Sequence, residues 1–237
     1  MERFAAVSMG CAGVVSLTFF VIGPALAYAR VVPGLAGFML FALGMIIGVV
    51  SGIAGLVQWS RSGMSTGAGL GLLGAPAAAF LLYSILSTRG APAINDVSTD
   101  LVYPPRFVHA STLPENKGRD MAFPESFKEI VKSGYPDLQS LAMSRTVDDV
   151  FARAMDLARE EKGWEVTFTE ITPKESTMEG HATTRVFGFV DDFVIRITKV
   201  QAGGCVVDMR SKSRDGKGDL GANAERIRTF LAGLQRG

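Results

Sequence analysis

Charge is almost missing from the first third of this 237-residue chain. Glu2, Arg3, Arg30 and Arg61 are the only charged residues before position 89, against 43 in the 149 positions that follow. A water-soluble bundle keeps a polar face on each helix, so the scarcity excludes one here. Histidine and cysteine are scarce too, at two each: His109, His181, Cys11 and Cys205. With no C-x-x-C and no H-E-x-x-H there is no zinc ligand set, and neither a metal nor another cofactor is expected. Cys11 falls in the apolar region and Cys205 on an apolar strand pattern, which excludes a disulfide framework. Excess charge of one sign is also lacking. Residues 89–237 hold 21 basic and 22 acidic residues, net −1, without the basic footprint of a nucleic-acid binder.

What the first 88 residues do contain is three runs free of acid or base, 4–29, 31–60 and 62–88. About 20 apolar residues in a helix cross a hydrocarbon core roughly 30 Å thick, and a helix is the one form in which a single segment satisfies its own backbone in lipid. The runs predict an anchor over 1–88, with transmembrane helices near 5–28, 34–58 and 66–87 in the bilayer. Pro33 and the stretch Ser60–Gly67 supply turns, and Trp59 and Tyr83 sit near span ends, where amphipathic rings favour the interface. Arg3, Arg30, Arg61 and Arg89 alternate across the membrane, so basic residues alone do not orient the anchor. Arg3, the apolar run, Pro24 and Ala27-Tyr28-Ala29 resemble a signal peptide with its cleavage site. The run exceeds the usual apolar core of a signal peptide, which favours an uncleaved first span. With or without cleavage, export by the first segment leaves residues 89–237 outside the cytoplasm. The expectation is a multi-pass inner-membrane protein with an extracytoplasmic C-terminal domain.

Three features of the anchor invite a functional reading. Met9-Gly10-Cys11 resembles part of a lipobox, but the stretch before it is too short. Gly63-Met64-Ser65-Thr66-Gly67 spells G-x-S-x-G without the strand-to-helix elbow that makes the motif work. Gly44, Gly48 and Gly52 repeat the small-residue spacing that lets helices approach closely. Packing of the chain's own spans is the expected use of these glycines, with a membrane protein partner as the alternative. No ionisable residue lies within a span, which argues against a proton or ion pathway.

Past Arg89 the composition changes. Residues 89–143 include Pro92, Pro104, Pro105, Pro114, Pro124 and Pro136, and proline with its preceding residue resists the α region. An extended segment is expected. Val102, Tyr103, Phe107, Phe123, Phe127 and Tyr135 suggest that it packs on the following domain, with 111–121 as an exposed loop. Over 144–237 the order reads α-β-β-β-β-α. Thr146 and Asp149 form a capping-box variant. Val147, Val150, Phe151, Ala154, Leu157 and Ala158 recur at helical spacing, and Gly163 ends the helix.

Strands are expected at 164–171, 176–187, 192–199 and 204–212. The last two alternate: Phe193, Ile195 and Ile197 against Val194, Arg196 and Thr198, then Cys205, Val207 and Met209 against Asp208, Arg210 and Lys212. That is the pattern of an antiparallel sheet with one wet face. Asp191-Asp192 and Ala202-Gly203-Gly204 read as turns. A last helix, about 220–235, should bury Leu220, Ala224, Ile227, Leu231 and Leu234. The fold class is α+β: three transmembrane helices, then a four-stranded antiparallel sheet flanked by two helices on its apolar face.

Several stretches carry a family resemblance. They are Asn95-Asp96-Val97-Ser98-Thr99-Asp100 followed by Pro104-Pro105-Arg106-Phe107, then Tyr135-Pro136-Asp137, then Phe187-Gly188-Phe189 through Asp191-Asp192 to Ile195-Arg196. In the tail they are Asp208, Arg210-Ser211, Ser213-Arg214, Asp219-Leu220-Gly221, Asn223-Ala224 and Arg226-Ile227-Arg228. Over roughly 93–235 the chain resembles the bacterial and plastid family called domain of unknown function 1499. The resemblance implies a domain often paired with membrane segments, and it implies no activity.

Gly216-Lys217-Gly218-Asp219-Leu220-Gly221 spells the dinucleotide fingerprint, but it follows an antiparallel strand and no βαβ unit is completed. A weaker reading gives Arg214, Lys217 and Gly218, with the free N–H groups of the last helix, an anion such as a lipid headgroup. The competing reading has Asp219 cap that helix. Arg196, Asp208 and Arg210 should share the polar strand face. There they form either an acid held by two arginines, cross-strand ion pairs, or, if the Pro-rich segment covers the face, a structural clasp. Asp191-Asp192 lacks the oxygen-rich spacing of a calcium site. With no complete catalytic set, no catalytic residue is named. The leading expectation is a membrane-anchored binding or scaffolding module. An envelope enzyme acting on a lipid or cell-wall substrate through Asp208, Arg196 and Arg210 is the alternative, as is an accessory subunit of a membrane complex.

Overall fold

A computed structural model describes residues 2–201 and 203–236. The chain divides into two compact units, residues 1–89 with 185–188 and residues 90–184 with 189–237. The first is helical: α1 (Glu2–Tyr28), α2 (Gly34–Ser62), α3 (Thr66–Gly71) and α4 (Ala75–Ser87). Three helical segments, Val7–Tyr28, Gly34–Ser62 and Thr66–Ser87, are long and apolar enough to cross a membrane. At 1.5 Å per residue even the shorter two reach about 33 Å. The third segment is not one uninterrupted helix. A 3₁₀ turn at Leu72–Gly74 separates α3 from α4, with Pro76 in the first turn of α4. Proline has no N–H to give and crowds the carbonyl four residues back, so the α ladder cannot run through it.

The glycine stripe of α2 faces the chain's own helices. A Cβ on Gly44 would lie 2.6 Å from the backbone N of Phe20, and one on Gly48 would lie 2.7 Å from Gly74 O. Beside this contact Ser16 Oγ donates to Gly44 O at 2.8 Å, an interhelical hydrogen bond between buried groups. Gly52 is different, because a Cβ there meets nothing closer than 3.7 Å.

The second unit is an antiparallel sheet with three helices. Its strands are β1 (Asp96–Ser98), β2 (Leu141–Met143), β3 (Trp164–Ile171), β4 (Glu175–Thr183), β5 (Val190–Lys199) and β6 (Cys205–Ser213). The spatial order is β1-β6-β5-β4-β3, and β2 also pairs with β6. The expected four-stranded meander is thus extended to six strands, because two three-residue segments from the Pro-rich region add to the far side of β6. The same region contains a helix where extended chain was expected. α5 (Glu125–Gly134) occupies the proline-free interval between Pro124 and Pro136 and places Val131 in the core. Residues 111–121 are likewise not a plain exposed loop. They include 3₁₀ turns, and Asn116 is buried.

α6 (Val147–Glu160) begins as the sequence indicates, with the Asp149 N–H donating to Thr146 Oγ1 at 3.1 Å. Val150, Ala154 and Ala158 of α6 pack with Ile227, Leu231 and Leu234 of α7 (Ala222–Arg236) on Phe193, Ile195, Ile197, Cys205, Val207 and Met209. This apolar face is the core expected from the strand alternation. Leu220 does not join it. It stands 67 % exposed at φ 55°, before α7 begins. Asp191 and Asp192 are not a turn. β5 starts earlier than its alternation suggests and takes in both, while the hairpin turn falls between Thr183 and Val190. Of the other expected turn, Ala202 lies outside the described residues, and Gly203 and Gly204 adopt φ 93° and 81°.

Replacing Gly44 by alanine forces backbone apart, whereas the same change at Gly52 meets open van der Waals distance. Gly44→Ala should destabilise the detergent-solubilised protein by about 1–3 kcal/mol, the usual range for overpacking. Gly52→Ala should stay within about 0.5 kcal/mol. Thermal unfolding followed by circular dichroism checks both, and equal effects would refute the packing assigned to the stripe.

Candidate functional site

The register of β5 and β6 sets Arg196 opposite Asp208 and Val194 opposite Arg210. β1 sets Asp96 opposite Lys212 and Ser98 opposite Arg210. Side chains alternate along a strand, so these charged residues share the face turned away from the α6–α7 core. That face is not wet. Residues 99–123 lie across it, with Phe107 and Ala110 buried against Val194.

Arg210 is the centre of the arrangement. Its Nε and Nη2 donate to the two oxygens of Asp96 at 2.9 and 2.7 Å. Nη1 donates to Pro105 O at 3.2 Å, and Nη2 also to Met121 O at 3.0 Å. The guanidinium carbon lies 4.7 Å from the Phe107 ring centroid and 5.3 Å from that of Phe123, within reach of a cation–π attraction. Asp96 is 0 % exposed and Arg210 1 %. Lys212 Nζ donates to the same carboxylate at 3.2 Å.

Asp208 is held by one arginine, not two. It accepts from Arg196 Nη2 at 2.9 Å, from Thr99 Oγ1 at 3.0 Å and from Ser140 Oγ at 2.5 Å. Arg196 also donates to Asp100 Oδ2 at 2.7 Å and to Tyr103 O at 2.9 Å. The three residues singled out in the sequence therefore do share a face. Each is spent on fastening residues 96–122 to the sheet. Burial pushes the Asp100 carboxyl up, but N–H donation from Tyr103 and Val102 and the Arg196 guanidinium outweigh it and hold it below the usual range. Arg196 is lowered by burial and raised by its bonds to Asp208 and Asp100, which prevail.

Glu179 and the two β5 aspartates carry roles the sequence did not disclose. The buried Glu179 carboxylate accepts the backbone N–H groups of Val108, His109 and Ala110 at 2.7, 3.1 and 2.8 Å, where a 3₁₀ turn begins. Asp192 receives Arg214 through Nε and Nη2 and Asn116 through Nδ2. Asp191 receives Arg226 at 2.5 Å. Asp96 had a signal, since it falls inside the motif opening the family resemblance. Asp191 and Asp192 likewise fall inside a stretch that carries the resemblance, whereas Glu179 had no signal.

Arg214, Lys217 and Gly218 are not gathered into an anion site. Arg214 is bound to Asp192, Lys217 and Gly218 stand exposed in the loop before α7, and Asp219 takes the N–H groups of Gly221 and Asn223. Among the described residues no group of three His, Cys, Asp or Glu side chains is placed to hold a metal.

In the second unit a cleft of about 730 Å³ opens where the cover meets the sheet. Tyr103, Phe107, Phe123 and Phe168 form much of its wall, with Thr177 and Arg196 on its floor. Phe168 reaches this face because β3 shifts register between Val166 and Phe168. The described lining contains no serine, cysteine or histidine; its one hydroxyl–carboxylate contact is Thr177 Oγ1 donating to Glu175 Oε1 at 3.4 Å.

Asp96→Asn leaves Arg210 and Lys212 facing a neutral group in a dry site. It should cost about 3–5 kcal/mol, the range for breaking a buried pair. Asp137→Asn, which removes the exposed partner of Arg228, should cost at most about 1 kcal/mol. Urea unfolding read by Trp164 fluorescence measures both. Acid offers a second check. Asp100 is depressed in the folded state, so its stabilisation is present above the ordinary carboxylate range near 3.9 and is lost as pH falls through the lower folded value. The stability gap between the native protein and Asp100→Asn should shrink from pH 6 to pH 2. A gap independent of pH would refute the role of the ion pair.

Comparison with curated proteins and with solved structures returned no match. A family model described as "Protein of unknown function (DUF1499)" matches residues 96–234. The matched stretch opens at Asp96, the partner of Arg210, and closes within α7, so it takes in both halves of the clasp. By that match over more than half its length, the chain belongs to the DUF1499 family.

Proposed function

We propose that this protein is a non-enzymatic binding module, carried on the outer side of an inner membrane by its three apolar helices, with the cleft of about 730 Å³ as its ligand site. The observation that carries the reading is the commitment of the charged cluster. Asp208 and Arg210 are buried and bonded within the fold, and Arg196 reaches the cleft floor with both terminal nitrogens already engaged. Asp208, the acid on which the enzyme alternative rests, therefore has no access to a reacting atom. What stays accessible is an aromatic wall with Thr177 and the carboxylates of Glu170 and Glu175, and the cleft's size is typical of small-molecule sites.

Export logic supports the placement. If the first segment leaves the cytoplasm, the second returns and the third leaves again, which puts the sheet domain outside. The packing of Gly44 and Gly48 against α1 and Gly74 speaks against those glycines as a subunit interface, so the accessory-subunit alternative has no observation in its favour.

Two experiments test the proposal. A reporter active only outside the cytoplasm, fused after Gly237, should be active, and activity of a cytoplasm-only reporter would sink the topology. Gentle detergent extraction followed by mass spectrometry should recover a small molecule or lipid with the native protein. That species should be lost with Tyr103→Ala, a change at an exposed side chain that keeps the backbone carbonyl bonded to Arg196. Recovery of nothing, or equal recovery with the variant, would overturn the cleft as ligand site.

A further inference from the structure

The loop before α7, residues 216–221, holds a leucine in an unusual backbone state. Leu220 stands 67 % exposed at φ 55°, a conformation that bulky side chains avoid and glycine adopts freely. Gly216 and Gly221 take positive φ in the same loop, so leucine accepts a strain that these two escape. We propose that this loop is a lipid-contacting wedge, with the Leu220 side chain entering the headgroup–acyl boundary of the bilayer that the chain's own helices cross.

An exposed leucine alone is ordinary. This one is held outward by its surroundings. The Asp219 N–H donates to Ile94 O at 3.1 Å, and Asn95 Nδ2 donates to Gly216 O at 2.8 Å. The Asp219 carboxylate accepts the N–H groups of Gly221 and Asn223 at 2.9 and 2.8 Å. Strained backbone persists where contacts over-determine it in this way. The same bonds fasten the loop to residues 94–95.

That attachment matters because of what lies just upstream. The third apolar segment ends at Ser87, and the N–H groups of Thr88 and Arg89 donate back to Ser84 O and Leu86 O. Ala91 is two residues beyond Arg89, about 7 Å of chain at full extension. A Cβ on Gly221, the residue next to Leu220, would lie 3.6 Å from the Ala91 Cβ. The headgroup layer on each side of the hydrocarbon core is about 5–8 Å deep. Covalent length therefore keeps Leu220 within reach of that layer.

The same end of the sheet carries the β4–β5 connection. The Arg214 N–H donates to Val190 O at 3.0 Å at the base of that hairpin, and residues 185–188 at its tip belong to the apolar first unit. Lys217, exposed in the loop, can hold its ammonium at headgroup level while its stem lies along apolar surface. An apolar side chain in the boundary with a cation above it is the arrangement of interfacial membrane contacts.

Spin labelling of the full chain in phosphatidylcholine–phosphatidylglycerol liposomes tests the wedge. The background is Cys11→Ala, since Cys11 is exposed and Cys205 is buried. Oxygen concentrates in lipid and a nickel chelate in water. A nitroxide on Leu220→Cys should therefore show an oxygen-to-nickel accessibility ratio several-fold above that of a nitroxide on Ile171→Cys. Ile171 is 65 % exposed at the other end of the sheet, and so controls for exposure. Lys217→Cys gives a second reading from the same loop, again above Ile171, should Leu220→Cys not fold. Leu220→Gly removes the side chain and relieves the positive φ, so its unfolding temperature in detergent should be unchanged or raised. Equal ratios at Leu220 and Ile171, water-like ratios at both loop positions, or a lowered unfolding temperature for Leu220→Gly would overturn the proposal. The ratio reads depth and not side. A second unit found in the cytoplasm would sink the topology proposed above and leave the wedge standing.

Discussion

Arg210 is a full positive charge in a place water does not reach, and most of the second unit is arranged to make that tolerable. Its fork matches the two oxygens of Asp96, and two carbonyls from the overlying segment take the remaining directions. Planar bidentate pairing of this kind needs a fixed distance and a fixed plane. Satisfying it fixes three things together. β1 must lie on β6 in the observed register, Pro105 and Met121 must both sit over β6, and Phe107 and Phe123 must bracket the guanidinium. Were the pair absent, the three-residue β1 would lose its main polar tie to β6, and the cover would lose one of its several fastenings.

The two faces of the sheet accordingly do different work. The α6–α7 face buries aliphatic and aromatic side chains and supplies the nonspecific drive to fold. The other face spends its charges on position. Glu179 receives three backbone N–H groups of the cover, Arg196 and Asp208 receive its start, and Asp192 receives Asn116. A buried polar group left unpaired is costly, so a shifted cover would abandon several partners at once. That penalty selects one arrangement, where apolar contact alone would permit several.

This division also explains what could be read from the sequence. The spans were legible because exclusion of charge over 20 or more residues has few other causes. The β5–β6 alternation and the α6 and α7 stripes were legible because periodicity is written locally. β1 and β2 were not, since three residues are too few to alternate visibly and their partners on β6 lie far along the chain. α5 was hidden by the prolines on either side of it. Asp191-Asp192 looked like a turn because two adjacent carboxylates rarely enter a sheet. What allows it here is Arg226 from one side and Arg214 from the other, neither adjacent in sequence. The cluster of Arg196, Asp208 and Arg210 was visible as a shared face, with a cross-strand ion pair that Arg196 and Asp208 do form, but the further partners Asp96 and Asp100 were not, because they come from the segment whose position the cluster itself determines.

The same logic separates structural charge from available charge. A charged residue that recurs in a family's motifs invites a catalytic reading, and in Arg196, Asp208 and Arg210 the motif residues are those with the least freedom to act on anything else. Freedom is found at the margins of the clasp. At one end the cover ends short of the sheet, leaving aromatic rings and carboxylates around a cleft. At the other a smaller pocket opens beside Lys212, which shares the Asp96 carboxylate with Arg210. Both openings are by-products of one tightly satisfied centre. The residues that a ligand would meet are therefore neighbours of the family motif more often than members of it.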